Sequence, residues 1–456
     1  MPLRLALMLL ALALGLASAL WLARRLLRRW IWRAAVRMRR RTGVRLNLVT
    51  VTRKQKLKAQ LLEDERLRAF VRAQVEATGA REGDLLAQVA EYLDEIIPSF
   101  NLLTTYAFGR RLAGGLLRAF YRIRVGRSAE AELNAIPRNA SVVYVMNHRS
   151  NADYLLVAFL LSDRVAISYA VGEWARVWPL ERLFKSFGAF FIRRKYRDPL
   201  YHAVLERYVQ RAVEGGVTQG IFLEGGLSRD GRLQPPKLGL LDYMLRSGAK
   251  ELVFIPVGLN YDRVLEDSNL VREAEGRKAH GRLGVFRRSA FWLLGLLWRG
   301  ARGRFQRFGY AVANFGPPIR ARDLLQGADP GALSWEARKP ILEAATRRLM
   351  AAVSREVPLT PVAVVAFAWR RLGRASASRG VLEAEARRWM ELAESRGLPL
   401  YLTRGGPDRV LDLGLRVLVL RGVLQADAGG VELTEAPERG ALLDYYAHGI
   451  AHHFGA

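Results

Sequence analysis

The spacing of apolar positions divides the chain into four stretches. In residues 1–33 there is no period at all. Residues 5–23 are an uncharged run of Leu, Ala and Gly with Met8, Ser18 and Trp21, and at about 1.5 Å per residue a helix of that length approaches the ~30 Å of a bilayer core. In residues 34–130 apolar side chains recur at helical spacing among mixed charges over 55–77 and 84–97, and Pro98 closes the second segment. Residues 131–322 change to short β-rich runs separated by helical ones: 141–146 (SVVYVM), 165–170 (VAISYA), 189–192 (AFFI), 220–223 (GIFL) and 252–257 (LVFIPV). That alternation predicts an α/β domain whose chemistry sits where strands end in loops. Residues 323–456 read as mostly helical, with a β-like stretch at 415–420 and a turn at Ala428-Gly429-Gly430. No internal repeat interrupts these four.

Composition sharpens the picture at two points. Half the residues are hydrophobic, enough for real cores, and the chain has no Cys, which removes disulfides, thiolate nucleophiles and sulfur-bound metal sites. The formal charge is +29, yet residues 1–62 hold fifteen basic residues and no acidic one. More than half the excess therefore adjoins the apolar run. Nucleic-acid binding requires instead a basic stripe with stacking aromatics across the folded domain, so no nucleic-acid partner is expected. Arg24, Arg25, Arg28, Arg29 and Arg33 alternate with Leu26, Leu27, Trp30, Ile31 and Trp32, a flank suited to an anionic lipid surface. A cleaved signal peptide is the competing reading, because Leu16-Ala17-Ser18-Ala19 fits a small-residue cleavage site loosely. With Arg4 alone before the run and five Arg close behind it, the positive-inside tendency favours an uncleaved anchor with the rest of the chain cytoplasmic.

Four strand ends carry chemical side chains. The first runs into Asn147-His148-Arg149-Ser150-Asn151-Ala152-Asp153. A His at a strand end with an Asp five positions on lets the carboxylate fold back and orient the imidazole, a base with its orienter. With no Cys, and Ser150 in the turn itself, the pair suits deprotonation of a substrate hydroxyl. An Asp that merely caps the next helix beside an incidental His is the alternative. The second strand delivers Arg193, Arg194 and Lys195 at one point; since neighbours in a strand face opposite ways, at most one of the two Arg easily shares a cleft with His148. The third ends in Glu224-Gly225-Gly226, where glycines permit close backbone approach, followed by the cations Arg229, Arg232 and Lys237 with Pro235-Pro236 between.

The segments NHRSNADYLL, GAFFIRR, FLEGGLSRDGRLQPPKLGLL and FIPVGLNYDRV fall in the order of the four acyltransferase blocks. With YAVANFGP and the C-terminal DYYAHGIAHHF, the chain from about residue 90 onward resembles the bacterial membrane-bound glycerol-3-phosphate O-acyltransferases. The resemblance implies a central mixed sheet flanked by helices in an acyltransferase domain at 131–322, before a mostly helical C-terminal domain (323–456); the membrane anchor with a basic flank (1–33) and the helical region (34–130) rest on the residue pattern alone, and nothing about the first ninety residues is carried over from the family. The resemblance also implies roles: His148 as general base with Asp153 its partner; Glu224 and Gly225 catalytic or substrate-positioning; Arg194, with Phe191, Ile192 and Arg193, at the glycerol-phosphate site; Ser228, Arg229 and Pro256 lining the same cavity, with Arg229 or Lys237 standing in for a phosphate contact missing at Leu227. Many relatives carry Arg where Leu227 stands here.

The expected reaction moves a fatty acyl group from acyl-CoA or acyl-carrier protein to the sn-1 hydroxyl of glycerol 3-phosphate, giving lysophosphatidate, the first step of phospholipid synthesis, at the inner face of a bacterial membrane. Membrane lipids are then partners too. Residues 291–298 (FWLLGLLW), flanked by Arg287, Arg288, Arg299 and Arg302, read equally as an interfacial segment or a buried helix. No cofactor is expected, because no complete P-loop or dinucleotide pattern occurs. His448, His452 and His453 lack the carboxylate that a metal site of their spacing would bring, and no metal is expected. Backbone N–H groups around Gly225 and Gly226 are candidate oxyanion donors. Two competing functions remain: acylation of dihydroxyacetone phosphate or a lysophospholipid, and a non-enzymatic cationic membrane-binding protein.

Overall fold

The computed structural model describes residues 54–98, 110–162, 167–172, 189–193, 196–276, 307–403 and 405–455. The apolar run at 5–23 with its basic flank, Arg194, Lys195 and the segment 291–298 lie outside them. Among the described residues no helix is long and apolar enough to cross a membrane.

The lead-in is three helices, α1 (Lys54–Leu62), α2 (Glu65–Thr78) and α3 (Glu82–Ile96). The single helical stretch expected over 55–77 is broken at Asp64. That residue leaves the helix to accept from the Leu67 N–H at 3.3 Å, capping α2, and its buried carboxylate also takes a hydrogen bond from Arg207 Nε at 2.9 Å. Then follow α4 (Arg110–Phe120), β1 (Arg122–Ser128), α5 (Glu130–Asn134), β2 (Ser141–Met146), α6 (Asp153–Leu161), β3 (Ser168–Gly172), β4 (Ala189–Ile192), α7 (Pro199–Glu214), β5 (Gln219–Phe222), α8 (Gly239–Leu245), β6 (Leu252–Tyr261), α9 (Asp267–Ala274), β7 (Tyr310–Phe315) and β8 (Ile319–Arg320).

These eight strands form one mixed sheet in the order β1-β7-β6-β2-β5-β3-β4, with β8 also paired to β6. From β6 to β4 all neighbours are parallel; β7 runs against β6, and β1 is parallel to β7. The helical region expected through residue 130 thus contains a strand. β1 escapes the sequence reading because its cations Arg122, Arg124 and Arg127 interrupt the apolar positions, as befits a half-exposed edge strand, whereas the central strands are continuous apolar runs.

Alternate residues of β2 serve two cores. Val143 and Val145 face one cluster with α2, α3, α7 and α8, while Tyr144 and Met146 face the other with α6 and the C-terminal helices. Fully burying each such side chain contributes roughly 1.5–3 kcal/mol. The register sets Met146 beside Phe222 of β5 and Val257 of β6. The carboxyl ends of β2 and β5 therefore open side by side, where ligands bind in sheets of this kind.

The remainder is α10 (Ala321–Leu325), α11 (Trp335–Glu356), α12 (Pro361–Leu372), β9 (Ser376–Ser378), α13 (Arg379–Ser395), α14 (Gly406–Leu420), β10 (Leu424–Ala426), β11 (Glu432–Glu435) and α15 (Gly440–Ala451). Proline at the first position opens α12, whose residues from Pro361 to Trp369 are all buried; a helix apolar on every side belongs inside a core. The β-like stretch at 415–420 is in fact the end of α14. Its buried Val410, Leu411, Gly414, Leu415 and Leu418 recur at helical spacing, and that longer period prevails over the local β propensity of Val417 and Val419. The turn at 428–430 does join two strands, β10 and β11.

Candidate active site

The site begins where β2 stops. Asn147, fully buried, donates from Nδ2 to the Leu259 carbonyl at 2.9 Å and accepts the Leu259 N–H at 2.7 Å. Its side chain substitutes for a peptide group in the ladder to β6, so the backbone can turn away without orphaning Leu259. The next residue, His148, is lifted off the sheet edge. Its ring stacks on Phe222 with centroids 3.9 Å apart and planes 19° apart.

Asp153 opens α6 and is wholly buried. Oδ2 accepts from His148 Nδ1 at 3.0 Å, from the Arg149 N–H at 2.7 Å and from the Ser150 N–H at 3.0 Å, and Oδ1 accepts from the Tyr261 hydroxyl at 2.6 Å. The carboxylate folds back over the turn and does not cap α6. Because Nδ1 donates to a carboxylate, Nε2 carries the lone pair, the tautomer a general base needs.

Glu224 stands at the end of β5 and locks two segments. Oε1 accepts the His148 N–H at 2.7 Å and Oε2 accepts the Gln234 N–H at 2.8 Å. The loop after it is held by Ser228 N–H to the His148 carbonyl at 3.0 Å and by Lys237 N–H to the Leu223 carbonyl at 2.7 Å. Burial pushes the Glu224 carboxyl up to about 7, against the opposing effect of its two N–H donors. A second acid, the partly buried Glu266, bears on the same turn: it accepts from Ser150 Oγ at 2.8 Å and the Asn151 N–H at 3.3 Å, and desolvation pushes it too to about 7. Sequence reasoning passed over Glu266 and Tyr261. Tyr261 continues the apolar strand β6 in the segment FIPVGLNYDRV, where a phenol reads as core; Glu266 follows in a loop with nothing to mark it.

The other expected residues part company. Gly225 adopts φ +66°, and a side chain there would crowd Lys237; its N–H is committed to the Phe222 carbonyl at 3.0 Å, so it is not a free oxyanion donor. Ser228 is buried, its hydroxyl donating to the Arg232 carbonyl at 2.7 Å. Lys237 is exposed beside Gly225, and Arg229 reaches outward to Glu273 at 3.1 Å.

Arg193 is a correction. It forms a bidentate pair with Glu95 of α3, Nε to Oε1 at 2.9 Å and Nη2 to Oε2 at 2.6 Å, with its guanidinium 4.6 Å from the centre of the Tyr196 ring. It braces the lead-in, its guanidinium engaged by Glu95. Phe191 is fully buried in the core, and Ile192 packs into the cluster on the opposite face. Pro256 is the other correction: it lies on the β6 face away from His148, lining a cleft with Pro317, Leu324 and Arg355, because the two-residue period of the strand sends it opposite to Val257. His448 donates from Nδ1 to the Asp230 carbonyl at 2.9 Å and accepts from Arg232 at 2.9 Å on Nε2, while His452 and His453 donate to the carbonyls of Ser354 and Val357.

Residues 129–260 match the acyltransferase family, and residues 289–456 match the glycerol-3-phosphate acyltransferase C-terminal region. The first match falls on the α/β domain with its mixed central sheet and the second on the C-terminal helices, so the class the chain is similar to is that of the acyltransferases. More narrowly, the chain is a relative of proteins named glycerol-3-phosphate acyltransferase: it is 27% identical over 387 residues to that of Xanthomonas axonopodis pv. citri, covering 80% of this chain and 41% of that one. The Aeromonas hydrophila protein is 26% identical over 401 residues (83% and 48%), and one from Shewanella baltica 26% over 442 residues (92% and 52%). The chain spans about half the length of these relatives. A solved 1-acyl-sn-glycerophosphate acyltransferase from Thermotoga maritima overlaps it at 17% identity with a TM-score of 0.30, over 65% of this chain and 97% of that one.

Proposed function

We propose that this chain is a glycerol-3-phosphate 1-O-acyltransferase using acyl-CoA or acyl-carrier protein. The observation that carries the reading is the buried His148–Asp153 pair, with Nε2 left as acceptor, inside the segment that matches the acyltransferase family. His148 Nε2 takes the proton of the sn-1 hydroxyl as its oxygen attacks the thioester carbonyl. The tetrahedral intermediate collapses to the ester, the thiolate leaves, and the imidazolium returns the proton to it. Asp153 holds the tautomer and offsets the imidazolium charge. Positioned base catalysis supplies ~10²–10⁴-fold of the rate, and orientation of the two substrates the remainder.

With Arg193 paired to Glu95, Arg194 is the arginine of its block left for the phosphate, together with Lys237. Residues 1–33 anchor the chain in a bacterial inner membrane with the active site on the cytoplasmic side, where a lipid-soluble acyl chain and a water-borne phosphate meet. Membranes given labelled glycerol 3-phosphate and a panel of acyl donors should yield 1-acyl-glycerol 3-phosphate, identified by mass. Much faster acylation of dihydroxyacetone phosphate or of a lysophospholipid would overturn the assignment.

A further inference from the structure

Arg149, next to the base, is only 3% exposed, and no carboxylate pairs with its guanidinium among the described residues. Nη1 donates to the Gly231 carbonyl, while Nε and Nη2 make no hydrogen bond there. A buried cation with so few partners is costly unless its surroundings supply negative potential. α15 supplies it. The guanidinium lies 4.6 Å from the centre of the Tyr445 ring and against Gly449 in the last turn of the helix, where the aligned peptide dipoles favour a cation. Two glycines make the approach feasible: a side chain at Gly449 would come within 2.9 Å of Nη2, and one at Gly231, which sits at φ +86°, would strike the Tyr445 carbonyl. The Tyr445 hydroxyl donates to the Arg149 carbonyl at 3.3 Å.

We propose that Arg149 is a positioning residue that clasps the C-terminal helix α15 to the base, making α15 part of the catalytic apparatus. The Arg149 N–H donates to the same Asp153 oxygen that receives His148 Nδ1. Any shift of the Arg149 peptide therefore moves the carboxylate contact that orients the ring. The same helix also holds the 228–232 loop, through His448 and the Asp230 carbonyl.

The proposal rests on the acyltransferase reading, and its test keeps the two apart. Arg149→Lys, which keeps charge but loses the planar fork, and Gly449→Ala, which pushes on the fork from the helix, are compared with wild type. Each is expected to lower kcat about ten-fold or more, to leave KM for glycerol 3-phosphate within about two-fold, and to raise hydrogen exchange in peptides covering 147–153 without changing it in α2 and α3. Wild-type kcat in both variants, with unchanged exchange, overturns the clasp; so does a rise confined to KM for glycerol 3-phosphate, which would make Arg149 a phosphate ligand. If Arg149→Lys does not fold, Tyr445→Phe, which keeps the ring and removes the hydrogen bond to the Arg149 carbonyl, serves with Gly449→Ala under the same criteria. A wild type inactive on every glycerol-phosphate acceptor overturns the functional reading alone, since the exchange measurement still decides the clasp.

Discussion

At the scale of single residues, the site depends on one carboxylate answering four donors. Asp153 holds the His148 ring, two backbone N–H groups and the Tyr261 hydroxyl at once, so its removal should disorganise the base and its turn together. His148→Ala and Asp153→Asn should each lower kcat by ~10²–10⁴-fold, and the double variant should be little worse than the worse single one, because the two act as a unit. Near-normal turnover in Asp153→Asn, with only a loss of stability, would show that the contact is structural. Glu224 adds a pH dependence. Its carboxyl titrates near 7 in the folded chain against an ordinary 4.5, so between those values the native state binds more protons than the unfolded one and stability falls as pH rises through the window. His452, pushed down to about 3 by burial, acts in the opposite sense between there and its ordinary value of 6.5, so only a comparison isolates Glu224. From about pH 5 to about pH 7.5, Glu224→Gln should lose less stability than wild type, by on the order of 1–3 kcal/mol. Parallel unfolding midpoints for the two proteins across that range would refute it.

At the scale of elements, the legible parts of the chain were those whose pattern was long or whose turn chemistry was local. The runs at 141–146 and 189–192 coincide with β2 and β4 because a buried parallel strand leaves no polar position to confuse the reading. The facing of His148 and Asp153 was equally local, a matter of five positions around one turn. What the sequence could not announce were partners distant along the chain. Glu95 captures Arg193 from α3, nearly a hundred residues earlier, and Tyr261 and Glu266 reach the turn from more than a hundred residues later. The strand period leads one to expect at most one cleft-facing Arg in the block, and Arg193 is the one that Glu95 engages. Arg193→Ala should remove the bidentate cation from the largely buried Glu95 carboxylate and lower the melting midpoint while leaving both KM values near wild type. Arg194→Ala should instead raise KM for glycerol 3-phosphate far more than that for the acyl donor, since a contact equal in ground and transition states contributes uniform binding. Steady-state kinetics with thermal unfolding of the two variants decides the pair, and exchanged phenotypes would reverse the assignment.

At the scale of the whole molecule, the sheet divides the labour between its faces. One cluster joins β2 and β6 to the lead-in helices and α11, and the other joins the same strands to α6, α12 and α15, which carries Tyr445 and Tyr446 into contact with the site loops. The sheet faces therefore tie both ends of the described chain to β2, which runs into the His148 turn, and to β6, whose Tyr261 holds Asp153, and neither end is an appendage. The excess positive charge lies elsewhere, concentrated in residues 1–62 beside the uncharged run at 5–23. A bilayer with anionic headgroups attracts such a flank by about 1 kcal/mol for each Lys or Arg near its surface, an attraction that salt screens. Burial of the apolar run does not weaken with salt in this way. Deleting residues 1–33 should hence release much of the protein from membranes, and the part still bound through Arg37, Arg39, Arg40 and Arg41 should dissociate as salt is raised, whereas the full chain should stay in the pellet at any ionic strength. Fractionation across a salt series, with a sucrose float to separate membranes from aggregate, reads this directly. Salt-resistant retention of the truncated chain in the floating fraction would place the anchor later in the sequence, with residues 291–298 the next segment to delete.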